Sequence, residues 1–389
     1  MSEITFSKSE LERYSRHLII PEFNIEGQRK LKAAKVLVVG TGGLGAPMLM
    51  YLAAAGVGTI GLVDFDVVDE SNLQRQVLFS VNDIGKAKVE AAKERLEGLN
   101  PHIKIQIHNL RLTSENALEI FKNYDLVADG TDNFPTRYLV NDACVLLGKT
   151  NVYASIFRFD GQVSVFNYKD KNGIFGPNYR DLFPAPPPPG LVPSCAEGGV
   201  IGVLPGIIGS LQANEVIKVI SGVGEPLAGR LFLFDALNFE TRILKISKDP
   251  NQVPVSKLID YEFFCGVGEP DSDQDENAKS EKNSFKEISV KELNEWQISG
   301  EKFQLIDVRE EFEYEISNMG GELIPLDEIE NNIEKIAKDV KVVVHCRSGQ
   351  RSEEAIKVLE KKFDFRNLYN LRGGLLAYAT EIDQSIAKY

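Results

Sequence analysis

A glycine-rich segment near the start of the 389-residue chain has the spacing of a phosphate-binding turn. Gly40, Gly42 and Gly45 follow the pattern Gly-x-Gly-x-x-Gly, between an apolar run and a predicted helix. Glycines at these positions allow a tight turn whose backbone N–H groups meet a phosphate at the helix N-terminus. Asp64 follows at the spacing where an acidic side chain binds a ribose hydroxyl. The motif therefore predicts a nucleotide site, and by itself it would suggest NAD.

Polar side chains downstream of this motif favour a different nucleotide. Asn72 and Arg75 lie in a polar loop, and Lys88 lies near the start of a predicted helix. Asp132 and Asn133 follow a predicted strand. Two cations and a carboxylate at the carboxyl ends of strands suit a triphosphate with its Mg²⁺ better than a nicotinamide. A dehydrogenase is the first alternative, although nothing in the sequence resembles a hydride-accepting site. Each charge, taken singly, could equally be a solvated surface group.

A second candidate site surrounds Cys346, which follows a predicted buried strand and precedes a helix predicted at 353–362. There, loop N–H groups and the helix N-terminus would hold the thiol as a thiolate and could stabilise a persulfide anion. The loop residues are Arg347, Ser348, Gly349, Gln350 and Arg351. The common cysteine phosphatases are the alternative for this domain. They need Cys-x5-Arg, whereas Cys346 and Arg351 form the shorter Cys-x4-Arg.

Cys195 is a third candidate, in a segment of prolines and glycines. Four consecutive prolines at 186–189 lack backbone donors and favour an extended conformation, so this segment is neither helix nor central strand. A lone cysteine is more often a small apolar filler than a reactive group. From the residues alone, both interpretations of Cys195 stay open.

The elements that would position these residues alternate as strand and helix. Predicted strands lie at 35–40, 59–63, 103–108 and 125–128, and predicted helices at 44–55, 86–99 and 115–122. This alternation predicts an α/β fold with a Rossmann-like sheet and helices on both faces. Alternating residues at 156–167 predict added antiparallel strands, which make the sheet mixed. Strands at 303–308 and 340–345 predict a second, smaller α/β domain.

A polar segment separates the two sets of elements. Residues 269–284 contain a single apolar residue, Ala278, and this composition is typical of a flexible linker. A coil of this length would reach roughly 20–25 Å. The predicted organisation is therefore a nucleotide-binding domain at 1–268, the linker, and a second domain at 285–389.

The composition indicates which classes of partner and which cellular compartment to expect. The formal net charge of −13, without any basic stretch, argues against nucleic acid or an anionic membrane surface as a partner. No run approaches the roughly 18 apolar residues of a membrane span, and the first residues lack the apolar core of a secretory signal. The four cysteines are dispersed, so a reduced cytoplasmic setting is predicted.

Together the N-terminal motifs resemble those of the MoeB/ThiF family, the ubiquitin-activating-like adenylyltransferases. The matching segments are Gly-x-Gly-Gly-Leu-Gly at 40–45, Asp-Phe-Asp-x-Val-Asp-x-Ser-Asn-Leu-x-Arg-Gln at 64–76, and Asp-Gly-Thr-Asp-Asn at 129–133. The resemblance extends from Arg13 to Ile246. It implies that ATP is contacted by Gly43, Asp64, Asn72, Arg75, Lys88 and Asp132, the last of them near Mg²⁺.

The same resemblance implies an oligomer and a substrate. The segment 13–16 resembles the family's Arg-Tyr-x-Arg-Gln element, with His17 in place of the glutamine. In such enzymes the arginine matching Arg16 reaches the ATP of the partner subunit, so a homodimer is implied. The implied reaction is adenylation of the C-terminal glycine carboxylate of a small ubiquitin-like sulfur carrier that ends in Gly-Gly.

Residues 285–389 resemble a rhodanese domain. The Cys346 loop matches Cys-Arg-Ser-Gly-x-Arg-Ser, the strand at 305–310 matches Leu-Ile-Asp-Val-Arg-Glu, and 373–374 match the closing glycines. The resemblance implies that Cys346 carries a persulfide, loaded by a donor such as a cysteine desulfurase, and that the carrier becomes a thiocarboxylate. In fused activators of this type, the cysteine matching Cys195 lies on a mobile loop and can form an acyl link to the carrier.

One departure from the family concerns zinc. Many relatives bind zinc through two Cys-x-x-Cys pairs, and the matching places here are 176–179 and 262–265. Only Cys265 remains, and one sulfur cannot build a tetrahedral thiolate site. The sequence therefore predicts no structural zinc, with Tyr179 and the pair Phe263–Phe264 filling the place apolarly.

Two other functions stay open. An activating enzyme for ubiquitin-like protein conjugation would use Cys195 as acyl acceptor, although a sulfur-transfer domain argues against it. A catalytically idle nucleotide-binding scaffold is the other, against which Arg75, Lys88, Asp132 and Cys346 argue. The sequence does not identify the carrier among molybdopterin, thiamine, tRNA-thiolation and cysteine pathways. Nor does it identify the sulfur donor, or the subunit that the second domain serves.

Overall fold

The computed structural model describes residues 4–187, 198–266 and 285–389. The chain divides into two compact units, Met1–Pro270 and Asp271–Tyr389. Cys195 and the whole predicted linker lie outside the described residues, as does the end of the proline run. None of the helices within the described ranges is long and apolar enough to cross a membrane.

The first unit is built on an eight-stranded mixed sheet. Its strands are β1 (Lys35–Val39), β2 (Thr59–Asp64), β3 (Lys104–Asn109), β4 (Leu126–Asp129), β5 (Thr150–Phe157), β6 (Asp160–Phe166), β7 (Arg230–Asp235) and β8 (Glu240–Lys245). They lie in the order β3-β2-β1-β4-β5-β6-β7-β8. Strands β1 to β5 are parallel, and β6, β7 and β8 continue the sheet in antiparallel fashion. This is the predicted Rossmann-like mixed sheet.

Helices cover both faces of this sheet. They are α1 (Lys8–Arg13), α2 (Ser15–Leu18), α3 (Asn24–Ala33), α4 (Gly45–Ala55), α5 (Lys88–Leu99), α6 (Ala117–Phe121), α7 (Phe134–Leu146), α8 (Tyr179–Leu182), α9 (Leu204–Ser221) and α10 (Tyr261–Phe264). Along β1, Val36 and Val38 enter the core cluster that contains residues of α4 and α5, whereas Leu37 enters the one with residues of α6 and α7. Because β1 is buried on both faces, its sequence is continuously apolar instead of alternating.

Several elements of the first unit were not predicted as the structure has them. Strand β5 begins at Thr150, before the alternating segment, and it pairs parallel to β4. Its residues 151–154 are all buried, so no alternation marks the start of the strand. Helix α9 and strands β7 and β8 were not predicted. Helix α9 carries Pro205, Gly206 and Gly209, which weaken a helix signal.

The second unit has a five-stranded parallel sheet in the order β11-β10-β12-β13-β9. The strands are β9 (Lys286–Ile288), β10 (Phe303–Asp307), β11 (Glu322–Leu323), β12 (Lys341–His345) and β13 (Leu368–Leu371), and the helices are α11 (Val290–Ser299), α12 (Glu311–Ile316), α13 (Gln350–Phe363) and α14 (Gly374–Glu381). The central strand β12 ends immediately before Cys346, and α13 begins four residues later. The cysteine therefore lies between a strand end and a helix start.

Candidate active sites

The glycine turn after β1 has a backbone that requires glycine at two positions. Gly40 has a φ of +88°, and a Cβ on Gly45 would lie 2.1 Å from the carbonyl oxygen of Gly40. Within the turn, the N–H and the hydroxyl of Thr41 each donate to Asp64 Oδ2 at 2.8 Å. The turn and the acidic residue at the end of β2 are thus held in one unit, as a nucleotide-binding turn needs.

A cavity opens beside this turn, next to the carboxyl ends of β1, β2 and β4. The structure brings most of the predicted nucleotide residues to its wall: Gly40, Gly42, Gly43, Asp64, Arg75, Lys88, Asp132 and Asn133. These residues come from five separate segments of the chain. Their convergence on one cavity is a product of the sheet order.

The two predicted cations of the cavity have partners of different kinds. Lys88, the first residue of α5, is buried, and its Nζ lies 3.0 Å from Oδ2 of the half-exposed Asp66. Arg75 donates from Nη1 to the carbonyl oxygen of Ser71 at 3.0 Å. A phosphate entering the cavity could replace either partner, because a surface carboxylate and a carbonyl are both readily solvated. The residues fit a triphosphate.

The acidic side of the cavity fits a Mg²⁺ that accompanies the phosphates. Asp132 is exposed, and Asn133 donates from Nδ2 to its Oδ1 at 3.5 Å. Asn133 also caps α7, because its Oδ1 accepts from the N–H of Thr136 at 3.0 Å. Mg²⁺ is usually held by one or two carboxylates together with substrate phosphates, so an accessible Asp132 is a suitable ligand.

Sequence reasoning missed two charged residues of the wall. Arg137 is nearly buried, donates from Nη2 to the carbonyl oxygen of Thr131 at 3.2 Å, and lies 5.9 Å from the ring centre of Tyr153. Its position on α7, four residues after Asn133, is a helical spacing that could have indicated it. Arg111 lies over the ring of Phe65 at 5.4 Å and had no recognisable motif.

Three predicted residues lie off the cavity wall formed by the described residues. Gly45 lies behind the turn at the start of α4. Asn72 ends the short 3-10 helix 70–72, where its carbonyl oxygen accepts from the N–H groups of Arg75 and Gln76. Arg16 is exposed on α2. The nucleotide contacts of these residues stay predictions.

The thiol of Cys346 is enclosed by its own loop. It is 1% exposed, and the N–H of Gly349 donates to its Sγ at 3.1 Å, with the hydroxyl of Ser352 3.6 Å away. Gly349 has a φ of +107°, a conformation that favours glycine, and α13 begins at the next residue. Together the backbone donor and the helix N-terminus suit a sulfur anion.

The rest of the loop presents charge next to this sulfur. Arg351 makes a two-point ion pair with Glu313 of α12, at 2.5 and 2.7 Å. Ser348 is half-buried, and Gln350 is exposed at the start of α13. Burial alone would raise the pKa of Glu313, but the hydrogen bonds from Arg351, from the N–H of Glu310 and from Tyr389, together with the charge of Arg351, outweigh it and hold that pKa below its ordinary value. Glu313 therefore stays ionised and keeps Arg351 in place.

A second ion pair lies under the loop and is fully buried. Arg309 donates from Nε to both carboxylate oxygens of Asp307 at 2.9 Å, and neither side chain is exposed to solvent. His345 lies beside it, with Nε2 3.8 Å from Oδ2 of Asp307. Burial lowers the pKa of His345, so the ring stays neutral next to the paired charges. Asp307 and His345 are paired at the carboxyl ends of β10 and β12, so this group lies beside the start of the Cys346 loop.

The place that corresponds to the zinc site of relatives is filled by aromatic rings. Tyr179 and Phe264 lie 5.1 and 5.3 Å from the ring of Tyr138. Phe263 is 58% exposed, so its predicted packing role is wrong. The reason is the short helix α10, which turns neighbouring side chains to different sides. Burial raises the pKa of Cys265 to about 11, so this thiol stays neutral.

A buried ion pair joins the same segments. Arg180 donates to both oxygens of Asp142 at 2.8 and 2.7 Å, and the hydroxyl of Tyr261 donates to Asp142 at 2.7 Å. The guanidinium lies over the rings of Tyr138 and Phe264 at 5.0 and 4.9 Å. These contacts tie α7, α8 and α10 together. One neutral thiol amid aromatic rings does not fit a zinc ion, which prefers thiolate and imidazole ligands.

Comparison with known families finds a match in each of the two units. The ThiF family matches residues 14–255, and the rhodanese-like domain matches residues 289–381. The chain is 50% identical over 386 residues to a Mycobacterium tuberculosis protein named probable adenylyltransferase/sulfurtransferase MoeZ, covering 98% of this chain and 96% of that protein. It is 55% identical over 269 residues to the sulfur carrier protein adenylyltransferase of Thermus thermophilus, covering 67% of this chain and 99% of that protein.

Among solved structures, Escherichia coli MccB in a crystal with ATP resembles this chain in fold. That chain is 25% identical, with a TM-score of 0.52, and the match covers 62% of this chain and 73% of MccB. The likeness extends over a region about as long as the ThiF match.

Proposed function

Because this chain belongs to the ThiF family and carries a C-terminal rhodanese-like domain, we propose a two-step reaction on a sulfur carrier. The chain is an adenylyltransferase and a sulfurtransferase. In the first step it uses ATP to adenylate the C-terminal glycine carboxylate of a ubiquitin-like carrier that ends in Gly-Gly. In the second, a persulfide on Cys346 supplies sulfur, and the carrier leaves as a thiocarboxylate. The observation that carries the proposal is that one polypeptide contains both the cavity with Lys88 and the enclosed Cys346.

The adenylation step requires charge compensation around the phosphates. The carrier carboxylate attacks the α-phosphorus of ATP, and pyrophosphate leaves. Lys88 and Arg75 offset the charge of the triphosphate, and Asp64 holds the ribose. Asp132 would hold Mg²⁺, which when bound neutralises part of the phosphate charge. The glycine turn offers N–H groups to the phosphates, because Gly42 and Gly43 lie on the wall without side chains.

We further propose a homodimer in which Arg16 completes the partner's site. Arg16 is exposed and lies off the cavity wall formed by the described part of the same chain. Near it, Ile19 and Ile20 are exposed apolar residues that a second copy could cover. An arginine supplied across an interface would stabilise the charge that develops during adenylyl transfer.

This arrangement has a direct test in mixed dimers. An Arg16→Ala subunit paired with a Lys88→Ala subunit contains one intact composite site, so part of the carrier-dependent ATP–pyrophosphate exchange should return. Each homodimer of a single variant should be inactive. Heterodimers that form, as shown by differently tagged subunits, and yet regain nothing would exclude the shared site.

Sulfur transfer then follows from the enclosed thiol. The terminal sulfur of the Cys346 persulfide attacks the acyl carbon of the adenylate, the new S–C bond forms, and AMP leaves. A second thiol then attacks Sγ of Cys346 and forms a disulfide with it, while the original S–S bond breaks and the thiocarboxylate departs. A thiol reductant then reduces the new disulfide and restores the Cys346 thiol. Cys195 is the proposed residue for handling the acyl group. Val200, five residues further along the chain, lies on the cavity wall.

The remaining assignments extend this proposal. We expect a persulfide donor such as a cysteine desulfurase to load Cys346, and we expect the reaction to take place in the reducing cytoplasm, where thiolates persist. The net charge of −13 argues against nucleic acid and anionic membranes as partners. Molybdopterin, thiamine and tRNA-thiolation pathways all use such carriers, and the carrier identity decides among them.

Mass spectrometry of candidate carriers identifies the substrate. Each carrier is incubated with the enzyme, ATP and a persulfide donor, and the expected product has one sulfur in place of one oxygen. Omission of ATP should abolish this change. A carrier that instead becomes attached to lysine side chains of other proteins, with Cys195 as acyl acceptor, would support the conjugating enzyme and contradict sulfur transfer.

A further inference from the structure

The segment after α14 folds back along the second unit. Ile386 packs against the core cluster that includes Ile288 and Leu293. The hydroxyl of Ser317, at the end of α12, donates to the carbonyl oxygen of Ala387 at 2.9 Å. These two contacts direct the chain towards the edge of the Cys346 loop. Tyr389 is the residue that reaches it.

The ring of Tyr389 contacts two arginines of different origin. Arg309 belongs to the buried pair under the loop, and Arg347 is the first loop residue after Cys346. Their guanidinium carbons lie 5.7 and 5.6 Å from the ring centre. Arg347 also donates from Nε to the main-chain oxygen of Tyr389 at 2.6 Å. The guanidinium of Arg347 therefore contacts both the ring and the backbone of Tyr389.

The hydroxyl of Tyr389 reaches the other end of the loop. It accepts from Nη1 of Arg309 and donates to Oε1 of Glu313 at 3.2 Å. Glu313 in turn binds Arg351 through both carboxylate oxygens. Burial raises the pKa of Tyr389, so the hydroxyl keeps the proton that it donates. One side chain thus contacts Arg347 directly and Arg351 through a single intermediary.

We propose that Tyr389 is a positioning residue that holds the two arginines of the Cys346 loop for the binding of an anionic sulfur donor. It touches neither the sulfur nor, in the described structure, any reacting atom, so it acts through Arg347 and Glu313. An arginine side chain loses rotamer freedom when it binds an anion, and prior fixation lowers that loss. Stacking on an aromatic face is a common way to fix a guanidinium without cancelling its charge. The inference rests on the proposed role of Cys346.

Thiosulfate is a suitable probe because it is an anionic donor of one sulfur atom. The Cys346 thiolate attacks its outer sulfur, the S–S bond of thiosulfate breaks, and sulfite leaves with the electron pair. Cyanide then removes the terminal sulfur as thiocyanate and restores the thiolate. The steps can be followed with the full-length chain, so KM for thiosulfate and kcat are measured separately.

Tyr389→Leu keeps the apolar bulk but removes the ring face and the hydroxyl. We expect KM for thiosulfate to rise about 10-fold with kcat within about twofold, the pattern of lost binding. Tyr389→Phe restores the ring over both arginines, and its KM should stay within about threefold of the parent. Arg347→Gln, with Tyr389 intact, should reproduce the raised KM.

Tyr378→Phe is the matched control. Tyr378 lies in the same unit and donates its hydroxyl to Gln297 at 2.9 Å, so the variant loses a comparable hydrogen bond that involves neither the two arginines nor Glu313. Its KM and kcat should equal those of the parent. A purely structural role for Tyr389 would instead lower the active fraction, so kcat would fall at constant KM.

Either that result or an unchanged KM in Tyr389→Leu would overturn the proposal, as would parental KM in Arg347→Gln. Cys346→Ser separates this inference from the proposed function. If Cys346→Ser still forms thiocyanate, the persulfide role itself fails. If it is inactive while Tyr389→Leu has parental KM, only the positioning role of Tyr389 fails.

Discussion

The nucleotide cavity and the Cys346 loop both follow the carboxyl ends of parallel strands, yet they balance charge in opposite ways. In the cavity, Lys88 pairs with a half-exposed Asp66, and Asp132 is open to solvent. In the second unit, Asp307 and Arg309 are paired without any exposure. Both arrangements present cations, but the counter-charge of Lys88 is half-exposed, whereas that of Arg309 is fully buried.

The difference follows from the size of the expected ligands. A triphosphate brings several negative charges and oxygen acceptors, so a cavity can leave its partners weakly engaged and exchange them on binding. A persulfide adds a single sulfur anion, which cannot compensate the buried Arg309 and the partly buried Arg347 and Arg351 together. Unpaired buried charges would then cost several kcal/mol each, so the protein supplies the counter-charges itself. Substitutions in the cavity should therefore change activity, whereas those in the loop's ion pairs should also change stability.

Cys346→Ser should produce the largest effect and separate the two units most clearly. A serine hydroxyl cannot carry a persulfide and is a far weaker nucleophile, so thiocarboxylate formation should fall by more than about 10³-fold. Carrier-dependent ATP–pyrophosphate exchange in the same sample is the internal control and should persist. Thiocarboxylate at the parental rate from a persulfide donor would remove Cys346 from the mechanism.

Lys88→Ala should reduce ATP–pyrophosphate exchange by about 10²- to 10³-fold, the usual effect of removing one transition-state cation. Its melting temperature should change little, because the lost partner Asp66 is half-exposed. The matched control is Lys86→Ala, two residues earlier, where the lysine pairs with Asp83 at 3.0 Å on the surface. Near-normal exchange in a folded Lys88→Ala protein would contradict the cavity assignment.

Asp142→Asn tests the ion pair that lies where relatives place zinc. The change leaves Arg180 buried without its counter-charge, so the first unit should lose about 3–5 kcal/mol of unfolding free energy. Glu119→Gln, which breaks a surface pair with Lys122 at 3.2 Å, should cost less than about 1 kcal/mol in the same calorimetric experiment.

The aromatic rings and the ion pair at this place predict the zinc content of the purified protein. We expect purified protein to contain no stoichiometric zinc and its melting temperature to be unchanged by a chelator. One tightly bound zinc per chain in elemental analysis would show that other residues supply ligands.

Acid should weaken the second unit through Glu313, and this is the smallest effect. The pKa of Glu313 lies below its ordinary value near 4.5, so the pair with Arg351 stabilises the fold fully above about pH 4.5. That stabilisation is lost as the pH falls through the folded-state pKa, and we expect a loss on the order of 1 kcal/mol.

Unfolding of the second unit can be followed selectively, because Trp296 is the one tryptophan of the chain. In Glu313→Gln the acid-dependent component should disappear, whereas Glu311→Gln on the exposed side of α12 should keep it. Identical pH dependence in the parent and in Glu313→Gln would mean that other carboxylates control acid unfolding.

Short-range patterns were sufficient for much of this protein. The glycine turn, the strand before it and Asp64 were predicted from spacing, since the permitted backbone angles of glycine and the alternation of strand and helix are local properties. The predicted family membership, the two activities and the mixed α/β fold are confirmed. The start of strand β5 and helix α9 could not be predicted from the sequence, because burial on several sides removes the hydrophobic periodicity that marks an element.

Only the tertiary structure decided the contacts between residues that are distant in the sequence. Tyr389 bonds to Arg309 across 80 positions, and Arg180 bonds to Asp142 across 38. No local pattern specifies such pairs, because they depend on how helices and strands pack and on which side chains packing leaves without solvent. The same reason explains why Phe264 is inside and its neighbour Phe263 outside. The residue types and their spacing determined which chemistry this chain can perform, and packing decided which further side chains hold the reacting groups in place.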